Sequence, residues 1–381
     1  MKIGILKETG NENRVALLPE GTAALEKMAV SVLVEQGAGE KAFASDKDYE
    51  ATKAKVTTRK DILENADLIV KIQPPSENDL KAMAEGKILV AALNPFFNHD
   101  LVRKLESNNI TAFSMELIPR ITRGQSMDIL SSQSTVTGYK AVLDAAINYP
   151  RFIPMFMTAA GTIKPAKMLV LGAGVAGLQA IVTARKLGAV VEVFDVRAAV
   201  REEVKSLGAK FIEVEGARED SAAGGYAIEQ DEDFKKRQAE TIQKHAGKSN
   251  IVICTAQIPG KKAPLLLTAE TVGQMEPGSV IIDLAASTGG NCELTQNGKT
   301  IVHKGVTIIG KSDYPSEMPI DASKMLGNNI INFLKLIIDE KGNISLNFED
   351  EIVQGTCLTH KKEIVHSRIR EIMEAGASQS K

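Results

Sequence analysis

Short apolar runs alternate along the chain with longer stretches whose apolar residues return every third or fourth position. The runs at residues 2–6, 32–35, 68–72, 88–92 and 111–115 read as strands, and the stretches at 19–29 and 98–107 as helices between them. Residues 132–148 form one long helical pattern that Pro150 ends. A second series follows: a strand at 168–171, a helix at 175–187, a strand at 190–194, and further strands at 210–214, 251–255, 280–284 and 306–309. Alternation of this kind builds parallel, doubly wound sheets. The expected fold is therefore α/β, with two Rossmann-like doubly wound parallel-sheet domains. An apolar helical run at 325–338 has no strand beside it in sequence and is expected to pack back on the first domain. That gives a discontinuous N-terminal domain, residues 1–131 plus 325–381, and a second domain, residues 132–324. Residues 216–233 are polar and acidic and contain Gly224-Gly225-Tyr226. They read as a surface loop whose paired glycines permit wide backbone motion.

The sharpest local signal sits in the second series. Gly172-Ala173-Gly174-Val175-Ala176-Gly177 follows an apolar strand and opens a helix. In such a turn the first glycine permits the tight bend, the second admits a pyrophosphate to the backbone, and the third lets helix and strand pack closely. The helix start at Val175 and Ala176 then offers N–H groups and a partial positive charge to phosphates. The next strand ends at Asp195, followed by Val196 and Arg197, about twenty residues past the glycines, as a dinucleotide fingerprint requires. A carboxylate there accepts from ribose hydroxyls and repels a 2′-phosphate, which favours NAD over NADP; a nearby arginine works the other way. The turn Thr255-Ala256-Gln257 follows another strand and is expected to form the opposite wall of a cofactor cleft between the domains.

Composition removes several alternatives. The net charge is −2, so no basic field draws nucleic acid, and with aromatics at 4% and no Trp there is little on which bases would stack. The three cysteines form no Cys-x-x-Cys pair, and the five histidines do not cluster, so neither a disulfide framework nor a metal site is expected. The first residues read as a strand rather than a signal peptide, and no apolar run approaches the roughly 18 residues of a membrane helix.

Residues 116–134, ELIPRITRGQSMDILSSQS, make a polar loop before the long helix. Read plainly, it caps that helix through Ser131 or Ser132. It also closely resembles the corresponding loop of the NAD(H)-binding component of proton-translocating transhydrogenases. The resemblance continues through residues 157–162, the glycine turn, Gly224-Gly225-Tyr226 and residues 277–285, and so covers nearly the whole chain. It implies a subunit of a Re/Si-specific, proton-translocating NAD(P)+ transhydrogenase. NAD(H) would bind here and NADP(H) on a partner subunit, with hydride passing directly between them. A membrane-spanning subunit would couple that transfer to proton movement. By motif match, Arg120, Gln125, Asp128 and Ser131 take the roles at the nicotinamide end, with Ile121, Thr122 and Arg123 beside them. Gly225, Tyr226, Gln238 and Gln257 fall where the family lines the cofactor. The resemblance further implies a homodimer on the cytoplasmic or matrix side of the inner membrane, attached through its partners and not itself inserted.

The N-terminal half also resembles alanine dehydrogenase, sharing Lys7-Glu8, Arg14-Val15-Ala16, Gln36-Gly37-Ala38-Gly39 and Lys71. In that family the arginine and lysine bind an amino-acid substrate, and a histidine follows on the next strand. Imine chemistry needs such an acid/base group. Here the stretch reads LVAALNPF, with Asn94 or a neighbour in the histidine's place, and Asn cannot shuttle a proton. Arg14 and Lys71 are then expected to be scaffold residues paired with local carboxylates. A third reading, an NAD-sensing interaction protein, predicts cofactor binding without hydride transfer to a partner.

Overall fold

A computed structural model describes residues 1–214, 232–258 and 260–379. The expected loop at 216–233 lies almost wholly outside the described residues, and Gly225 and Tyr226 with it. The chain divides into two compact units, Met1–Gln133 with Pro315–Lys381, and Ser134–Tyr314.

Unit 1 starts with six short strands, β1 (Lys2–Ile5), β2 (Ser31–Glu35), β3 (Lys55–Thr57), β4 (Leu68–Val70), β5 (Ile88–Ala91) and β6 (Thr111–Ser114). Unit 2 contributes a hairpin, β7 (Phe156–Thr158) and β8 (Gly161–Ile163), and then β9 (Lys167–Leu171), β10 (Val190–Phe194), β11 (Lys210–Phe211), β12 (Ile251–Cys254), β13 (Val280–Asp283), β14 (Lys299–His303) and β15 (Val306–Gly310). The chain returns to unit 1 with β16 (Cys357–His360) and β17 (Glu363–Ile364).

The first sheet runs β17-β16-β6-β5-β4-β1-β2-β3, parallel from β6 to β3, with the two late strands antiparallel at one edge. Every residue of β4, β5 and β6 is buried, because helices cover both faces. Alternate side chains therefore enter different cores. Ile69, Leu89 and Ala112 pack with Leu105 and Ile369, while Val70, Val90 and Phe113 pack on the other face. That second face is closed by helix Pro319–Ile337, whose Phe333 ring lies 5.2 Å from Phe113. The helix starts before the apolar run expected at 325–338, because Pro319 supplies the first helical residue and the first turn is polar. The returning segment of unit 1 likewise begins at Pro315: Ser316 and Ser323 hydroxyls accept the backbone N–H groups of Asn13 and Val15, each at 2.9 Å.

The second sheet runs β11-β10-β9-β12-β13-β15-β14, parallel throughout except for the β14–β15 pair. It begins in the middle at β9, grows outward through β10 and β11, then restarts beside β9 at β12. The strand order thus reverses between β9 and β12, and in such sheets ligands bind outside the carboxyl ends at that reversal.

Candidate dinucleotide site

The glycine turn leaves β9 at this reversal. Gly172 has φ +105°, and a Cβ built on it would come 2.5 Å from Thr255 Oγ1, so both conformation and space exclude a side chain. At Gly177 a Cβ would lie 1.9 Å from the carbonyl oxygen of Gly172, the close approach that seats helix Val175–Lys186 on the strand. Gly174 is different. Its φ of −78° suits any residue, and a Cβ there would meet nothing within 4 Å. The fold itself does not need glycine at 174; the space in front of it is open toward the first turn of the helix, whose N–H groups have no intrahelical partners. That is the geometry a pyrophosphate requires.

Asp195 follows β10 and is nearly buried. Oδ2 accepts the Ala173 N–H at 2.7 Å, tying the acid to the glycine turn, and Oδ1 accepts the Arg197 N–H at 2.8 Å. The Arg197 guanidinium adds Nε to Oδ1 and Nη2 to Oδ2, each at 2.9 Å. These four bonds occupy the four lone-pair positions of the carboxylate. The acid expected to receive ribose hydroxyls is therefore bound to its own arginine here.

The opposite wall is held by side chains from two strands. The Thr255 hydroxyl turns inward and donates to the carbonyls of Leu171 (3.2 Å) and Gly172 (2.9 Å), bridging the reversal point. Gln257 Nε2 donates to the Leu284 carbonyl at 3.1 Å. Asn291 grips Ala256 from both sides, Nδ2 to its carbonyl at 2.9 Å and Oδ1 from its N–H at 3.1 Å, and also donates to the Pro264 carbonyl at 2.8 Å. Asp283, fully buried at the end of β13, in turn accepts the N–H groups of Ala285, Asn291 and Cys292 and the Thr295 hydroxyl. Asn291 was not singled out from sequence; its signal was a Gly-Gly-Asn after a strand end. Burial pushes the neighbouring Cys254 thiol far above its ordinary range, so it stays protonated. Gln238 lies half-buried on helix Glu232–Ala246.

The polar loop belongs to unit 1. Residues Thr122–Met127 form a 3-10 turn, and helix Ile129–Asn148 starts earlier than the expected residue 132. Asp128, not a serine, caps it, accepting the Ser131 N–H at 3.0 Å and the Ser131 hydroxyl at 2.6 Å. Arg123 makes a two-pronged ion pair with Asp350, at 2.7 and 2.8 Å. Arg120, Thr122 and Gln125 are exposed and Ile121 is half-buried. The loop thus offers polar side chains from a fixed backbone. Among the described residues no group of three metal-ligating side chains comes together, and no helix is long and apolar enough to cross a membrane.

The sequence patterns of the alanine dehydrogenase/PNT family match nearly end to end, the N-terminal domain at residues 4–137 and the C-terminal domain at 141–367. The first of the chains that make up the NAD(P) transhydrogenase alpha subunit of Rhodospirillum rubrum is 48% identical over 376 residues, 96% of this chain and 98% of the relative. The chain belongs to the NAD(P) transhydrogenase alpha-subunit family. A solved transhydrogenase from Sinorhizobium meliloti superposes with a TM-score of 0.88 at 42% identity, covering 96% of this chain and all of that one. An L-alanine dehydrogenase shares the fold, with a TM-score of 0.81 over 98% of this chain and 99% of that one at 23% identity.

Within the transhydrogenase family, the residues shared with alanine dehydrogenase have internal partners. Glu12 holds Arg14 through Nε (2.8 Å) and Nη2 (2.6 Å), and Arg14 Nη1 donates to Gln133 at 2.7 Å. Burial alone would raise Glu12, but its bonds and charge contact with Arg14 leave it below the ordinary carboxylate range. Lys71 Nζ lies 3.3 Å from Glu8 Oε2, both groups almost fully buried. Burial pushes the Glu8 carboxyl up, against the pull of Lys71 and of the Ile72 and Gln73 N–H groups. Asn94 has φ +49°, a left-handed conformation that asparagine tolerates well, and Glu116 accepts the N–H groups of Leu93 and Asn94. Backbone geometry accounts for Asn94 without an acid/base role.

Proposed function

We propose that this chain is the NAD(H)-binding component of a proton-translocating transhydrogenase, passing hydride directly between NADH and NADP+ held on a partner subunit. The observation that carries the reading is Gly174, glycine at a position where the fold would accept any residue and where open space faces a helix start. The bound dinucleotide supplies the reacting hydride. The chain's residues bind, orient and keep water away, and direct ring-to-ring transfer asks no proton of them.

The units take the roles expected of the two domains. Unit 2 would hold NAD(H), with Gly172, Gly174, Val175, Ala176 and Gly177 at the pyrophosphate and Asp195, Val196 and Arg197 at the adenosine ribose. Thr255, Ala256, Gln257 and Gln238 would line the opposite wall, with Gly225 and Tyr226 from the intervening loop. Unit 1 would supply Arg120, Gln125, Asp128 and Ser131 at the nicotinamide, with Ile121, Thr122 and Arg123 beside them. Ribose binding at Asp195 then requires Arg197 to give up some of its pairing. The internal partners of Arg14 and Lys71 weigh against amino-acid oxidation. A membrane-spanning partner would couple transfer to proton movement and hold the chain on the cytoplasmic or matrix side of the inner membrane.

Self-association fits one surface of unit 2. Phe152, Met155 and Met157 are more than half exposed on and just before the β7–β8 hairpin, and an isolated two-stranded hairpin is marginal without a covering surface. A homodimer that pairs these faces would bury them.

The deciding experiment mixes the purified chain with NADH, an NADP analogue and a partner component loaded with NADP(H). Rapid cyclic hydride exchange is expected. Ammonium-dependent reduction of pyruvate by the chain alone would instead establish the dehydrogenase reading, and NADH binding with neither activity the sensing one.

A further inference from the structure

Gln125 protrudes from unit 1 between two clamps. On one side, Asn329 and Asn332 of helix Pro319–Ile337 both donate through Nδ2 to the Ser126 carbonyl, at 2.8 and 3.2 Å. Three residues apart on a helix, they share a face, and together they fill both lone pairs of that oxygen. On the other side, Arg123 is held in the plane of the Asp350 carboxylate. Asp350 is itself fixed, because it caps helix Glu351–Thr356 by accepting the Ile352 and Val353 N–H groups at 2.8 and 3.4 Å. Between the clamps the turn is tight: a Cβ on Gly124 would come 2.5 Å from the Pro119 carbonyl oxygen. Gln125 is exposed, and among the described residues its side-chain amide has no partner.

Asn329 is costly where it stands. It is 8% exposed among Leu326, Ile330 and Phe333, and its Oδ1 is buried with no partner among the described residues. A leucine would fill this helix face without an orphaned acceptor. The compensating gain is the grip on Ser126.

We propose that Asn329 and Asn332, together with Asp350, are positioning residues that hold the segment carrying Gln125 in one conformation for hydride transfer. The proposal rests on the transhydrogenase reading above for its functional half; the clamp itself rests on unit 1 alone. None of the three needs to touch a nucleotide. Their effect reaches the reaction through the Gln125 backbone.

The test uses the full chain with Asn329→Leu, the double variant Asn329→Leu with Asn332→Leu, and the milder Asp350→Asn. Amide hydrogen exchange at residues 122–128 is expected to quicken at least tenfold in the double variant. The NADH dissociation constant should stay within twofold, while the cyclic transfer rate falls tenfold or more. In a Gln125→Asn background the same substitutions should cost little further rate, because the group they position is already compromised. Unchanged exchange at 122–128 overturns the clamp, whatever the activity. Full additivity with Gln125→Asn, or loss of rate matched by loss of NADH affinity, overturns the positioning role. If the wild-type chain transfers no hydride, the reading under Proposed function fails, and exchange still decides the clamp.

Discussion

Asp195 and Arg197 show how a single acid can be present at the expected place and already be engaged. Its carboxylate binds the glycine turn through Ala173 and is neutralised by a guanidinium 2.9 Å away. Two outcomes follow for binding measurements. Asp195→Ala should weaken NADH by about 1–3 kcal/mol, the scale of a lost hydrogen bond to a charged group; an unchanged dissociation constant removes Asp195 from the ribose site. Arg197→Ala should leave the acid's charge uncompensated and widen the preference for NADH over NADPH. A narrowed preference in paired titrations would mean that the arginine, not the acid, sets selectivity. The sequence reveals both residues through their place after a strand, twenty-odd positions beyond the glycines. Their mutual pairing was not legible there, since two adjacent opposite charges also commonly face solvent separately.

At the scale of elements, legibility follows packing. Strands β9 and β10 and the helix between them stand out because the apolar run, the three glycines and the acid agree. Strands β3, β7, β8 and β14 do not, being short or largely exposed, so no burial pattern marks them. The clamp on the Gln125 segment was equally hidden, because Asn329 and Asp350 lie some two hundred residues from their partners. The late elements also carry a pH response. Burial pushes His360, on β16, and His366, ahead of helix Ser367–Gln379, below the ordinary histidine value of 6.5. His360 Nδ1 lies 3.0 Å from Thr111 Oγ1, and His366 Nδ1 faces the Ile369 N–H at 3.4 Å, where it serves as an acceptor. Below pH 6.5 the unfolded chain binds protons that the folded chain resists, so stability falls as pH drops through that value. Melting midpoints between pH 7.5 and 5 should decline, and His360→Gln with His366→Gln should flatten the decline. An identical slope in the variant would show that other groups govern it.

Across the whole molecule, the family relationship extends almost end to end, and both units are needed for the proposed reaction: one grips the nucleotide, the other presents its reacting end. The exposed β7–β8 surface adds a prediction at this scale. Light scattering should find a dimer, and Met157→Asp, placing a charge where the side chain is 74% exposed, should shift it toward monomer at micromolar concentration. A monomeric wild type would leave that surface for a different partner. The order in which the units are completed has a further consequence. Unit 2 is one uninterrupted stretch, whereas unit 1 lacks helix Pro319–Ile337 and β16 until the last segment of the chain emerges. At ribosomal rates, unit 2 takes on the order of ten to forty seconds to synthesise. Through that interval the nascent N-terminal half holds the β6 edge and the Phe113 face uncovered. A trigger-type chaperone that shields apolar surface at the exit tunnel should therefore matter more for this half than for the contiguous one.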